Sequence, residues 1–159
     1  MAPKAQANQG RRGLRNKLAQ RAGEYFVAAE VNRRGALAIA SADAPGIEVI
    51  ASESARARKV HLQVKTKTNS RFVWHMQVPD EPVSAPKDER EFYVFVDLGT
   101  GADARPGYWV APRVWVQNMV FDHKQAWLKK RGSSVHTGIK TEQLEQWKNR
   151  WDVLRVGLK

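Results

Sequence analysis

Glu48, Gln63 and Lys65 are the residues whose types and spacing could do chemistry together. Lys65 follows Gln63 by two positions in Val60-His61-Leu62-Gln63-Val64-Lys65-Thr66-Lys67, a run rich in β-branched and apolar residues that predicts a strand. Side chains alternate along a strand, so Gln63 and Lys65 share one face while Leu62, Val64 and Thr66 share the other. The run Pro45-Gly46-Ile47-Glu48-Val49-Ile50 predicts a hairpin partner whose one ionisable group is Glu48. An amide, an ammonium and a carboxylate meeting on an apolar hairpin are costly to bury without a use. The use such a set suggests is a site for a divalent metal and a phosphate. The same residues also allow a plainer reading, an amphipathic edge hairpin in which Lys65 and Lys67 face water and Glu48 pairs with one of them.

The elements that must position these groups can be read in order. Residues 1–11 have little to bury and predict a flexible basic N-terminal arm, leaving 12–159 as one domain. Leu14, Leu18, Ala22, Tyr25, Phe26 and Ala29 recur at three- and four-residue steps and predict a helix from Arg12 to Arg34, stopped by Gly35. Between Tyr25 and Val31 that helix is apolar nearly all round and should lie on a sheet, with Glu24 at the edge of the buried zone. Strands are expected at Ala36 to Ala42, Ile47 to Ser52, Lys59 to Lys67, Arg71 to Val78, Glu91 to Leu98 and Tyr108 to Val110. The fifth, Glu-Phe-Tyr-Val-Phe-Val-Asp-Leu, reads as central and covered on both faces. Pro79 to Arg90, with three prolines and six charged residues, should be an exposed loop. A helix is expected from Pro112 to about Lys130 and another from Thr141 to about Val153, with Ser133 to Gly138 a loop between them. The order describes an α/β chain with a small central sheet flanked by helices.

The chain has 159 residues, enough for one domain with a real core. It has no cysteine, which excludes disulfides and thiolate metal sites and suits a reducing cytoplasm. No run reaches the roughly 20 apolar residues that span a bilayer. Lys and Arg number 27 against 16 Asp and Glu, a net charge of +11 that favours a polyanionic partner, nucleic acid before membrane. Lys4, Arg11, Arg12, Arg15, Lys17 and Arg21 precede the first acidic residue. Of the six tryptophans, those at helical or strand spacing read as core rather than as base-stacking platforms, and the four histidines show no zinc-ligand spacing. No Gly-rich phosphate loop, nucleophile elbow or dinucleotide fingerprint is present.

Gly23-Glu24 on a helix, Pro45-Gly46-Ile47-Glu48 opening a strand, then Gln63-Val64-Lys65, followed by an apolar strand and helices, resembles the PD-(D/E)XK nuclease superfamily. The likeness is to small single-domain members whose third motif reads Gln-x-Lys, and it covers about residues 20–130. It implies a restriction-endonuclease-like core with a central mixed sheet. It further implies Mg2+ (or Mn2+) held by Glu48, the Gln63 oxygen and the Val64 carbonyl, with Glu24 supporting the metal or its water and Lys65 beside the scissile phosphate. Hard oxygen donors suit Mg2+, which keeps several of its own waters. Glu48 stands where aspartate is commoner, and Gln63 removes a negative charge that Glu24 would have to replace. Asp43 is a fallback ligand, and Pro79-Asp80-Glu81 is a decoy in a loop with no x-Lys strand after it.

The function this implies is hydrolysis of DNA phosphodiester bonds by a metal-dependent endonuclease, working as a homodimer on duplex DNA. Arg11, Arg12, Arg15, Arg56, Arg58, Lys67 and Arg71 would contact phosphates. The alternatives are a catalytically inactive nucleic-acid-binding or adaptor protein on the same scaffold and an RNA-directed protein.

Overall fold

Helix α1 (Ala2–Arg33) ends where Gly35 takes φ 100°, a left-handed turn that lets the chain reverse into strand β1 (Leu37–Ala40). The structure, a computed structural model, describes residues 2–41, 46–53, 58–69, 71–131 and 137–158. Asp43 and Arg56 lie outside the described residues. The chain continues through β2 (Val49–Ser52), β3 (Lys59–Lys67), β4 (Trp74–Met76), β5 (Glu91–Asp97), β6 (Gly107–Pro112), helix α2 (Arg113–Arg131) and β7 (Thr137–Ile139). It closes with two 3-10 segments, Thr141–Trp147 and Trp151–Leu154.

Five strands form one mixed sheet in the order β1-β2-β3-β5-β6, and β4 and β7 form a second, two-stranded antiparallel sheet. The expected hairpin is present, with β2 antiparallel to β3 and Val49 opposite Leu62. β3 and β5 are parallel, so the chain crosses over between them through β4 and the proline-rich loop. The protein is therefore an α/β fold in which a mixed five-stranded sheet packs against helices. No helix among the described residues is long and apolar enough to cross a membrane.

Alternation decides what lies on each face. Phe92, Val94 and Val96 of β5 join Leu62 and Val64 of β3 under Val27, Ala28 and Val31 of α1, with Trp151 and Leu154 completing that core. Tyr93 and Phe95 point the other way, toward Trp74, Val116, Val120, Ile139 and Leu144. β5 is thus covered on both faces, as its unbroken apolar run predicts.

Residues 2–11, expected as a flexible basic arm, have helical backbone continuous with the rest of α1, and two other expectations are corrected. The final helix is instead two 3-10 segments broken at Asn149, whose φ is 53°. The break has a packing cause: Leu144 and Trp147 serve the α2-side core, whereas Trp151 and Leu154 serve the α1-side core. A straight helix holds all four on one stripe, but this segment must turn around the edge strand β6, pairing Lys148 with Trp109 as it does so. Thr137 and Gly138, read as the end of a loop, belong to β7, which pairs with β4.

Gly23 sets how closely α1 approaches the sheet. A Cβ there would overlap Thr66 Oγ1 and stand 3.0 Å from the Thr66 Cβ. Gly23→Ala is expected to cost about 1–3 kcal/mol in urea unfolding, and Thr66→Ala combined with it should recover part of that loss. Simple additivity of the two changes would contradict the close approach.

Candidate active site

β2 stops pairing with β3 one residue before its partner strand needs it. Glu48 N–H still donates to Leu62 O at 3.1 Å, but the chain before it turns away at Gly46, φ 79°. Val64, two residues beyond Leu62 on the same edge of β3, is left without a backbone partner from β2. Side chains take over that role. The Glu48 carboxylate Oε2 accepts the Val64 N–H at 2.9 Å, and the Gln20 amide donates to Val64 O at 2.8 Å.

Glu24 comes to this point from α1, one turn beyond Gln20 and directly after the close-packed Gly23. It is 5% exposed. Burial of an acid requires partners, and Glu24 has Arg21 at 2.9 Å and the Gln20 amide at 3.3 Å.

Gln63 and Lys65 lie on the face opposite Leu62 and Val64, as alternation predicts. The paired register ends at Val49 opposite Leu62 and the Glu48 N–H also goes to Leu62 O, so Glu48 sits at an irregular step where strand alternation stops, its carboxyl within electrostatic reach of both Lys65 and Glu24. Lys65 is half-buried and has no hydrogen-bond partner among the described residues. The electrostatics join the group. Burial pushes the Glu48 carboxyl above its usual range and Glu24 adds to that rise, while the Val64 N–H and the Lys65 ammonium oppose it. On the neighbouring strand Tyr93 pairs with Gln63, and its phenol is raised chiefly by burial, with Arg113 opposing and Glu48 adding.

Of the expected site residues, Glu48 is bonded to the Val64 N–H, Glu24 meets Gln20, which holds the Val64 carbonyl, and Lys65 acts on Glu48 through its charge, while Gln63 is on the face away from Val64. Among the described residues no three His, Cys, Asp or Glu side chains assemble as a metal-binding group. Two carboxylates with neutral oxygens still fit a hard cation such as Mg2+, which retains much of its water shell. A carboxylate already destabilised by burial and by a second acid is also one that a cation would relieve.

The expected phosphate contacts divide. Arg11, Arg12 and Arg15 are exposed on the early turns of α1, and Arg71 is exposed after β3. Arg58 is instead a structural staple, joined to Asp88, the Glu89 carbonyl and, at 3.0 Å, the Leu154 carbonyl. Lys67 is 5% exposed; its ammonium donates to Phe72 O at 3.1 Å and Thr141 Oγ1 at 2.9 Å and sits 3.8 Å from the Trp74 ring centre. Neither Arg58 nor Lys67 presents its charge to a phosphate in this arrangement.

Gln20, Arg21 and Tyr93 are the site residues that pattern reading misses. The first two stand four and three positions before Glu24, the spacing at which helical side chains meet, and that was the available signal. Tyr93 was hidden in an apolar strand.

Comparison with protein-family models, with curated proteins and with solved structures yields no match to this chain.

The raised Glu48 carboxyl fixes a sign. Its charged form is disfavoured on folding, so this group's contribution to stability is fully present below the unfolded carboxyl range and is lost as pH rises through the folded value. Glu48→Gln keeps an acceptor for the Val64 N–H and should raise Tm at neutral pH in EDTA, with the advantage vanishing below about pH 4. A variant less stable than wild type at pH 7 would contradict the buried-carboxylate description.

Proposed function

We propose that this protein is a metal-dependent endonuclease that hydrolyses DNA phosphodiester bonds, built as a small PD-(D/E)XK nuclease. The observation that carries the reading is the Glu48 carboxylate bound to the Val64 N–H within electrostatic reach of both Lys65 and Glu24, while Gln20, which contacts Glu24, holds the Val64 carbonyl. Glu48 and Glu24 would hold Mg2+ (or Mn2+), assisted by the Gln63 amide oxygen and the Val64 carbonyl. The bound ion would polarise a phosphoryl oxygen and lower the pKa of a coordinated water.

The chain's own residues account for the rest. The Lys65 ammonium, two residues from Gln63 on a strand paired with β5, would offset charge that grows on the phosphate in the transition state. It is available for that because it makes no hydrogen bond among the described residues. The Gln20 amide and Arg21 orient Glu24, and the Val64 N–H orients Glu48, so both carboxylates are aimed before substrate arrives. A net charge of +11 supplies attraction for duplex DNA without specifying sequence. Cutting both strands calls for two such centres, which a homodimer provides.

A second reading is favoured by particular contacts. Arg21 and Gln20 already engage Glu24, Gln20 also occupies Val64 O, and Gln63 stands where a carboxylate would add charge. These suit a nucleic-acid adaptor that has lost hydrolysis.

Plasmid cleavage in Mg2+ separates the two. Wild type should cut in Mg2+ and not in EDTA, and Lys65→Ala and Glu48→Ala should each lower the rate by about 10²–10³ while circular dichroism shows them folded. Cleavage that survives both changes would remove this mechanism. DNA binding without cleavage, together with no Mg2+ or Mn2+ uptake by calorimetry, would establish the adaptor.

A further inference from the structure

The buried contacts of α1 begin at Gly23, and residues 9–18 are exposed on every side. This half of the helix is an unpartnered element with a strong charge bias. Over residues 9–23 it carries Arg11, Arg12, Arg15, Lys17 and Arg21 with no acid among them. Arg11 with Arg15, and Lys17 with Arg21, stand one turn apart, so like charges oppose each other along the helix. Gly10 and Gly13 weaken the helix further, and a Cβ at either would meet nothing within 4 Å, so no packing contact demands them.

Intrinsic preference and charge therefore both work against these turns, and an anionic partner would reverse the charge term. Charge complementarity favours a phosphodiester backbone over the other occupants. A second copy would bring its own five cations against these. An anionic membrane calls for a broad apolar face, whereas residues 9–18 offer only Leu14 and Leu18, 58% and 60% exposed.

We propose that the free half of α1 is a duplex grip, a helix that lies along the backbone of double-stranded DNA and is stabilised by it. This rests on the reading of the protein as a DNA-acting enzyme and names the surface that takes hold of the substrate. Arg11 stands 13 positions before Glu24. At about 1.5 Å per helical residue the two are roughly 20 Å apart, about six base steps along the duplex. Because α1 is continuous from the grip to Glu24, the gripped phosphates and the candidate centre keep a fixed spacing.

The test is binding of full-length protein to a mixed-sequence DNA duplex in EDTA, followed by fluorescence anisotropy between about 50 and 200 mM salt. The Arg11→Gln, Arg12→Gln, Arg15→Gln variant should lower the slope of log affinity against log salt by about 2–3, while circular dichroism shows more helix in the free protein. The Gly10→Ala, Gly13→Ala variant should gain helix and bind up to about tenfold more tightly, because less ordering remains to be done on binding. An unchanged salt slope in the first variant, or added helix with unchanged affinity in the second, would overturn the grip. So would tighter binding to phosphatidylserine vesicles than to the duplex, or a dimer that Leu14→Ser, Leu18→Ser dissociates while the duplex slope stays the same. Binding in EDTA needs no chemistry, so the two proposals fail separately. A reduced slope without cleavage would uphold the grip and reject the nuclease, and cleavage with an unaltered slope would do the opposite.

Discussion

The peptide of Val64 has to find hydrogen bonds that its own sheet does not provide. β2 leaves β3 at Glu48, so the next N–H and C=O on that edge face a gap where an extended strand would otherwise continue. The chain fills the gap with side chains from two directions, Glu48 from the departing strand and Gln20 from α1. Everything of chemical interest follows from that substitution. A carboxylate that replaces a carbonyl as acceptor brings a negative charge into a half-buried place, and the helix that reaches in with an amide brings Glu24 one turn later.

α1 can reach so far only because Gly23 lets it press on Thr66. The same closeness buries Val27, Ala28 and Val31 against the sheet, so the packing that stabilises the domain and the geometry that aims Glu24 have one origin. The two interests diverge at Glu48. Its burial beside another acid disfavours the charge on which metal binding would depend, while Lys65 and the Val64 N–H offset that in part. A site of this kind is held in place by the surrounding core and in return lowers the stability of that core, which is common where binding groups are preorganised.

What could be read from the sequence was local. The hairpin, the alternation that sets Gln63 and Lys65 apart from Val64, the doubly covered β5 and the Gly-Glu step on the first helix are all carried by residues a few positions apart. What could not be read depends on distant partners. Lys67 looks like any solvent-facing strand lysine until Thr141 and Trp74 close over it, and Arg58 like a phosphate contact until the Leu154 carbonyl, 96 residues on, engages it. The terminal helix failed for a related reason: the spacing of Leu144, Trp147, Trp151 and Leu154 satisfies helical periodicity, but two separate cores claim alternate pairs. Gln20 showed only its helical spacing to Glu24, and its bond to the Val64 carbonyl, 44 residues on, had no trace in the sequence.

The central claim is that the Val64 peptide, Glu48 and Glu24 form a seat for a divalent cation. Anomalous diffraction from crystals grown with Mn2+ addresses it without reference to any substrate. The account predicts a peak bonded to Glu48 and to at least one of Glu24, Gln63 and the Val64 carbonyl, at about 2.1 Å, the separation for a small hard cation with oxygen ligands. Crystals saturated with Mn2+ that show no density there, with Glu48 still accepting only the Val64 N–H, would contradict it.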